Sequence, residues 1–320
     1  MFDAIAALPR IPFAPDPTPV EELTRLRAVL GGGPRLLVKR DDAIPFGFGG
    51  NKVRKMQLVA AEAAAQQADT LITCGGVQSN HARVTAAAAA KLGLRCLLVA
   101  NGVLPERPTA NALLDRLLGA EVHYVGTGDE RAAMMDHLAA AERAAGRRPY
   151  VIPLGASTPL GAAAFASAIL ELLDQIPPPD VIVHATSSGA TQAGLAAGCA
   201  MARVSTRVVG ISADETSAGL GAVIHPLLSG LATLLGARAD TFDDVVVDVD
   251  DRFVGDGYGI PTDASRDAID LLARTEALFL DPTYTAKAMA GLLSRLRRRE
   301  LTSAETILFW HTGGQVGLFA

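Results

Sequence analysis

The stretch Phe46-Gly47-Phe48-Gly49-Gly50-Asn51-Lys52-Val53-Arg54-Lys55 places two amines just after a glycine-rich turn. Glycines allow backbone conformations that a side chain forbids. Asn51 is a suitable N-cap for a helix whose buried face is marked by Val53, Met56 and Ala60. Lys52 and Lys55 then lie one turn apart on one side, near the positive end, where the macrodipole favours acids instead. Such a local conflict is common where function costs stability. The competing reading is a solvated basic first turn.

Four further stretches pair small residues with reactive or polar ones. Thr186-Ser187-Ser188-Gly189-Ala190-Thr191 follows an apolar run, exposes successive N–H groups and opens a helix, an arrangement suited to a phosphate. It is neither a Walker loop nor a G-x-G-x-x-G fingerprint, so it implies no nucleotide, and an ordinary strand-to-helix turn is its alternative. Ser79-Asn80-His81 sets hydroxyl, amide and imidazole at another helix start, where capping explains one of the three. In Asp281-Pro282-Thr283-Tyr284-Thr285, Thr283 or Thr285 caps the following helix, and Tyr284 alone reads as a core or rim aromatic. His311-Thr312-Gly313-Gly314 ends a strand carrying the only tryptophan, Trp310; its double glycine signals a close backbone approach or simply a tight turn.

No Ser-His-Asp order, nucleophile elbow or metal-ligand spacing appears, and the adjacent Asp41-Asp42 read as anchors of the turn. A cradle for one phosphate, an amine beside glycines and neutral polar groups together suggest pyridoxal phosphate, held by a lysine as a Schiff base and used as an electron sink.

Alternating elements are expected to position these loops. Strands are predicted at 35–39, 70–73, 96–100, 121–125, 150–153, 180–184, 207–211, 244–247 and 306–310. Helices are predicted at about 51–67, 80–92, 110–118, 129–145, 157–173, 226–235, 264–277 and 284–297. Cys74 to Asn80 reads as loop, and the prolines at 9, 12, 15, 17 and 19 predict a surface-wrapping first segment. Short apolar strands alternating with helices indicate parallel sheets covered on both faces. About nine strands exceed the usual single sheet, so two α/β lobes sharing a cleft are expected. Ligands of such sheets bind beyond the carboxyl ends of the strands, where the loops above fall.

The 320 residues, 49% hydrophobic, suffice for one large core or two modest ones. A net charge of −5 argues against a nucleic-acid or polybasic membrane role. Three scattered cysteines, Cys74, Cys96 and Cys199, fit a reducing compartment. The N-terminus lacks signal-peptide features, and no run of about eighteen uncharged apolar residues is expected to span a membrane. A cytoplasmic protein is expected.

The motifs Gly49-Gly50-Asn51-Lys52-Val53-Arg54-Lys55, Gln78-Ser79-Asn80-His81-Ala82-Arg83, Thr191-Gln192-Ala193-Gly194, Gly257-Tyr258-Gly259, Asp281-Pro282-Thr283-Tyr284-Thr285 and His311-Thr312-Gly313-Gly314 occur in one order. In this the chain resembles the D-cysteine desulfhydrase / 1-aminocyclopropane-1-carboxylate (ACC) deaminase family of pyridoxal-phosphate enzymes. The resemblance covers nearly the whole chain. It implies a tryptophan synthase β-like fold, with residues 1–52 and 158–320 in a larger lobe, 53–157 in a smaller one, and the cofactor between them. It implies Lys52 as the Schiff-base lysine, Lys55 as a phosphate contact, and Ser187, Ser188, Gly189, Ala190 and Thr191 as the phosphate cradle. Asn80 would bond the cofactor's phenolic oxygen and Thr312 would meet its pyridine nitrogen. Ser79, Asn80 and His81 would face the substrate, with Tyr258 and Tyr284 near its reacting end and Ser79 and Tyr284 taking part in catalysis.

ACC deaminases carry Tyr-Glu and Leu where this chain has Tyr284-Thr285 and Thr312. A glutamate keeps the ring nitrogen protonated for a strong electron sink, and a hydroxyl cannot. The implied activity is therefore α,β-elimination from a small amino acid, with D-cysteine yielding pyruvate, sulfide and ammonia. ACC deamination to 2-oxobutanoate and desulfonation of L-cysteate are the alternatives within the family. Outside it stands a non-catalytic binding protein, which would not need Lys52. Phe46 and Phe48 are expected to narrow the pocket, a homodimer is expected, and the chain ends at Phe319-Ala320 slightly sooner than the resemblance implies.

Overall fold

The computed structural model describes residues 1–13, 17–301 and 304–320; Pro15 of the early proline run lies outside the described residues. The chain begins with α1 (Phe2–Ala6), β1 (Val20–Glu22), α2 (Thr24–Val29), β2 (Arg35–Arg40) and α3 (Asn51–Ala65). Four strands alternate with helices next: β3 (Thr70–Gly76), α4 (Asn80–Leu92), β4 (Arg95–Asn101), α5 (Ala110–Leu117), β5 (Glu121–Val125), α6 (Glu130–Ala144) and β6 (Pro149–Val151). The remainder is α7 (Pro159–Gln175), β7 (Val181–Thr186), α8 (Ala190–Ala202), β8 (Arg207–Ser212), α9 (Ser217–Leu234), β9 (Asp248–Asp250), α10 (Asp263–Glu276), α11 (Thr285–Arg297) and β10 (Thr306–His311).

Two sheets result. One has six strands in the order β1-β2-β10-β7-β8-β9, the other four in the order β5-β4-β3-β6. All pairings are parallel except β1 with β2. That antiparallel edge strand corrects the all-parallel expectation. On one face of the larger sheet, Val183, Ile211 and Phe309 pack against Met289 and Leu292 of α11 and Leu272 of α10. On the other, Ile182, Leu308 and Trp310 meet Phe165, Ile169 and Leu195 of α7 and α8. Helix α3 serves two cores: Val53, Met56 and Val59 pack with α4, and Leu58 with the α7–α8–α9 cluster. It is therefore buried on more faces than its apolar spacing implied.

Other differences have local causes. Gly50, at φ 97°, is the N-cap of α3, and Asn51 is its first helical residue. Cys74, Gly75 and Gly76 extend β3 rather than forming a loop, because β4 pairs with them through Asn101. The strand expected at 244–247 lies at Asp248–Asp250, beside β8. Helix α9 begins at Ser217, capped by Thr216, and continues through Pro226. Its 18 residues are long and apolar enough to cross a membrane by length and composition, contrary to expectation. Here Leu220, Ile224, Leu228 and Leu231 bury one face of it.

A buried polar network fixes the start of α3. Arg54 donates from Nε to Asp41 Oδ1 (2.9 Å), from Nη1 to Glu171 Oε2 (2.7 Å) and from Nη2 to Thr18 Oγ1 (2.9 Å). Trp310 Nε1 donates to Asp41 Oδ2 (2.8 Å), and Lys39 Nζ to Glu171 Oε1 (2.6 Å). Burial would raise the Glu171 carboxyl, but Arg54 and Lys39 hold it down at about 2.

Replacing Arg54 by Met removes the cation shared by two buried acids and should cost about 3–5 kcal/mol in urea unfolding followed through Trp310 fluorescence. Glu171 has a folded pKa below its ordinary value of about 4.3, so its contribution is complete above that pH. It is lost as pH falls toward about 2. Glu171→Gln should flatten the acid limb of stability in that window, and an unchanged limb would count against the network.

Candidate active site

A cavity of about 350 Å³ lies between the two sheets. Small-molecule sites commonly span about 300–1,000 Å³. Its wall gathers Lys52 from α3, Ser79, Asn80 and His81 from the start of α4, Ser187, Ser188, Gly189 and Thr191 from the β7–α8 turn, Tyr258, Tyr284 and Thr312. Residues expected from six separate stretches thus meet at one place. Two glycine turns make the close approach possible. A Cβ on Gly50 would sit 2.9 Å from the Thr312 carbonyl oxygen, and one on Gly313 would sit 2.5 Å from Gly50 Cα. The Asn51 N–H donates to Thr312 O at 2.9 Å and locks the two turns together.

Lys52 projects into the cavity from the first turn of α3. Burial lowers its amine to about 8, and the carboxylate of Asp214 partly opposes that shift. A Cβ on Gly155 would lie 2.4 Å from Ser188 Oγ and 3.4 Å from Lys52 Nζ, so this glycine keeps the space between lysine and cradle open. In the cradle, Ala193 N–H bonds to Gly189 O, which leaves the earlier N–H groups of α8 without intrahelical acceptors. Thr191 Oγ1 accepts from Asn51 Nδ2 at 3.1 Å, so its own proton points elsewhere. Ser157 props the turn, donating to Ser188 O and accepting from Ala190 N–H.

Across the cavity, Ser79 caps α4 by accepting Ala82 N–H (3.2 Å) and retains a hydroxyl proton to give. Asn80 Oδ1 is held by Asn111 Nδ2 (2.9 Å) and Arg83 Nη2 (3.3 Å), so its amide offers N–H donors. Tyr258 and Tyr284 share a hydroxyl–hydroxyl bond of 2.7 Å. Burial and then Tyr258 push the Tyr284 phenol well above 10, making it a hydrogen-bond donor rather than an acid at working pH.

Several expected residues are engaged elsewhere. Lys55 and Ala190 are absent from the cavity wall. Lys55 Nζ donates to Gly155 O (3.2 Å), and burial with the nearby Lys52 lowers it well below its ordinary value. The Ala190 N–H is taken by Ser157, and its side chain lies in the helical core. The Ser187 hydroxyl donates to Asp214 Oδ2 (2.7 Å). His81 reaches the wall but is 2% exposed. Thr73 Oγ1 donates to Ile152 O (2.8 Å), which assigns the proton of the 2.8 Å His81–Thr73 bond to His81 Nε2. Nδ1 is then an unpartnered acceptor on a ring kept neutral by burial and by Lys52 and Lys55, and it offers a carboxylate no donor. Tyr284, not Thr283 or Thr285, is at the N-cap of α11, and Asp281 ties the turn before it: its Oδ1 accepts from Thr285 N and Oγ1, its Oδ2 from Thr283 N and Tyr284 N. Phe46 stacks on Phe13 at 4.5 Å and Phe48 is 57% exposed; neither lines the cavity.

The sequence reading missed Asn51 as a cradle partner, and also Asn101, Arg131, Gly155, Asp214 and Glu215 in the wall. Most of these follow a strand's carboxyl end, the signal that would have found them. It also missed Lys287, fully buried, whose Nζ donates to Ala213 O, Val254 O and Gly257 O (2.7–2.9 Å). That ammonium ties down the segments carrying Asp214 and Tyr258.

A family model described as "Pyridoxal-phosphate dependent enzyme" matches residues 11–313. A D-cysteine desulfhydrase of Klebsiella pneumoniae subsp. pneumoniae is 38% identical over 324 residues, covering 99% of this chain and 97% of that protein. The crystal structure of an ACC deaminase homologue superposes with a TM-score of 0.91 at 36% identity, covering 99% of this chain and 95% of the other. A maize serine racemase, at 20% identity and a TM-score of 0.69 over 98% and 93% of the two chains, shares the fold.

The lowered amine has a direct consequence for protein stripped of any bound small molecule. Acylation at Lys52, followed by peptide mass mapping, should rise with pH and reach half its maximum near 8. A midpoint near the ordinary lysine value of about 10.4 would contradict the desolvated site.

Proposed function

The chain belongs to the pyridoxal-phosphate-dependent enzyme family, and on that premise we propose that it eliminates the β substituent of a small amino acid, D-cysteine foremost. D-Cysteine and one water yield pyruvate, hydrogen sulfide and ammonia. The observation that carries this reading is Lys52: an amine lowered to about 8, facing an open N–H cradle across the space that Gly155 leaves. These residues suit the cofactor's three handles, an aldehyde, a phosphate and a phenolic oxygen. Lys52 answers the first, the first-turn N–H groups of α8 with the Thr191 hydroxyl the second, and the Asn80 amide the third.

When bound, pyridoxal phosphate supplies an electron sink for the pair left at Cα. The protein's part is to bind, orient and move protons. Lys52 Nζ is the group to take the Cα proton, since a lowered amine is a competent base near neutral pH. The Ser79 hydroxyl donates to the substrate carboxylate at the positive end of α4. The tyrosine pair has one proton left after its mutual bond and directs it at the leaving group. Thr312 offers the ring nitrogen a hydroxyl, and Thr285 is engaged by Asp281, so among the cavity-lining residues no carboxylate stands where a strong sink requires one. This favours a substrate with a good leaving group over an unactivated cyclopropane. The desulfhydrase relative supports the same choice. Carried from the family resemblance are a cytoplasmic homodimer, the two lobes at 1–52 with 158–320 and at 53–157, and a free amino acid rather than nucleic acid or membrane as partner.

A panel of D-cysteine, L-cysteine, ACC, D-serine and L-cysteate, assayed for keto acid, tests the proposal. Pyruvate should form fastest from D-cysteine, and dominant 2-oxobutanoate from ACC would refute it. Lys52→Ala should remove the visible absorption band of the bound cofactor and lower turnover by about 10²–10⁴ or more. Retained elimination would refute the assignment of the base.

A further inference from the structure

One cation in the cavity wall is unused by the reaction described above. Arg131, the second residue of α6, lines the cavity from the side of the four-stranded sheet. Its Nε donates to Gly128 O at 2.8 Å and its Nη1 to Asn101 Oδ1 at 3.3 Å. Both acceptors are neutral, and among the described residues no ion pair involves this guanidinium. The half-buried group is thus oriented by neutral acceptors, with donors left over for an anion in the cavity.

Its position is specific. Asn101, the side chain that steadies it, also borders a second cavity of about 310 Å³, together with Tyr258 and Tyr284. Arg131 therefore shares the main cavity's wall with the tyrosine pair, and its partner Asn101 reaches both spaces. Burial raises the Tyr258 phenol; the Tyr284 hydrogen bond opposes that most, and the Arg131 charge adds a smaller downward pull. The acids of the main cavity, Asp214 and Glu215, follow β8 in the other sheet, and Asp214 Oδ2 is engaged by Ser187. Lys52 lines the same cavity, and burial with the Lys52 and Lys55 charges keeps His81 neutral. A substrate with Cα at Lys52 and its carboxylate at Ser79 has its β substituent left to face the tyrosines and Arg131.

We propose that Arg131, with Asn101 and Tyr258, forms the subsite for the β substituent and selects an anionic sulfur group, thiolate or sulfonate, over a neutral group of similar size. This deepens the lyase reading and rests on it. A guanidinium fork matches a sulfonate through two N–H bonds and a thiolate through one.

The test need not depend on turnover. Cofactor-loaded protein is titrated calorimetrically with 3-sulfopropanoate and with butanoate, neither of which carries an amine and so neither of which reacts. At low salt the wild type should bind the sulfonate about tenfold more tightly. Arg131→Met should bind both alike, and Arg131→Lys should keep part of the preference. Equal binding by the wild type, or a preference surviving in Arg131→Met with its circular dichroism intact, overturns the proposal. Kinetics separate the sources. Arg131→Met should lose about tenfold in kcat/KM on D-cysteine or L-cysteate, whichever the wild type uses, and little on D-serine. An equal loss on all three would mean that Arg131 holds the α-carboxylate, which also overturns it. Failure of the lyase reading would look different: no keto acid from any substrate while the sulfonate preference persists.

Discussion

Arg54 is buried between two carboxylates, Asp41 and Glu171, and the site depends on that arrangement. Asp41 belongs to the turn after β2, Glu171 to α7, and Trp310, which bonds the second oxygen of Asp41, to β10. One guanidinium thereby binds the first turn of α3 to the central strands of the larger sheet and to a helix behind it. Such a network brings little net stability over an apolar core, but breaking it is costly. What it supplies is position. Lys52 is two residues before Arg54 and cannot move far while Arg54 is held. The lock between the Asn51 N–H and Thr312 O adds a second restraint from the end of β10.

Held in this way, Lys52 enters a part of the cavity where its own charge is poorly solvated. Burial lowers Lys52, Lys55 and His81 together; Lys52 lowers Lys55 further, and both lysines lower His81. The Lys52 amine therefore keeps a substantial neutral fraction at working pH without any general base beside it. This reverses the apparent conflict of two lysines at the positive end of a helix. Their burial, unfavourable for the helix alone, keeps one amine reactive. The surrounding polar groups are constrained in a similar way: Ser187, Asn80 and Thr191 have already committed part of their hydrogen-bonding capacity to protein, and only the remainder faces a ligand.

Two cations outside the proton transfers, one buried and one half-buried, are held differently. Lys287 gathers three carbonyls from the segments bearing Asp214 and Tyr258, and the Tyr258 loop is thereby anchored despite glycines at 255, 257 and 259. Arg131 is fixed more lightly, by two neutral acceptors, and keeps its charge for the cavity. The contrast between a fully engaged ammonium and a partly engaged guanidinium distinguishes a scaffold residue from one able to meet a ligand.

Much of this was legible in the residue order. Apolar periodicity marked most strands and helices to within a few residues, since period and capping involve neighbours only a few positions apart. Small residues beside polar ones, at strand ends, marked Lys52, Ser79, Asn80, the 187–191 turn and Thr312, and the family resemblance added Tyr284. The sequence by itself therefore determined an alternating α/β chain with a lysine and an anion cradle suited to pyridoxal phosphate. Only the tertiary structure decided which of those groups are free. Ser187 is occupied by a residue 27 positions away, Lys55 by one 100 away, and Asp41 by one 269 away. Hydrogen bonds between such distant residues leave no local pattern in the chain. The same folding brings Arg131 and Asp214 into a wall that no motif announces, because a charge in a cavity is defined by what surrounds it.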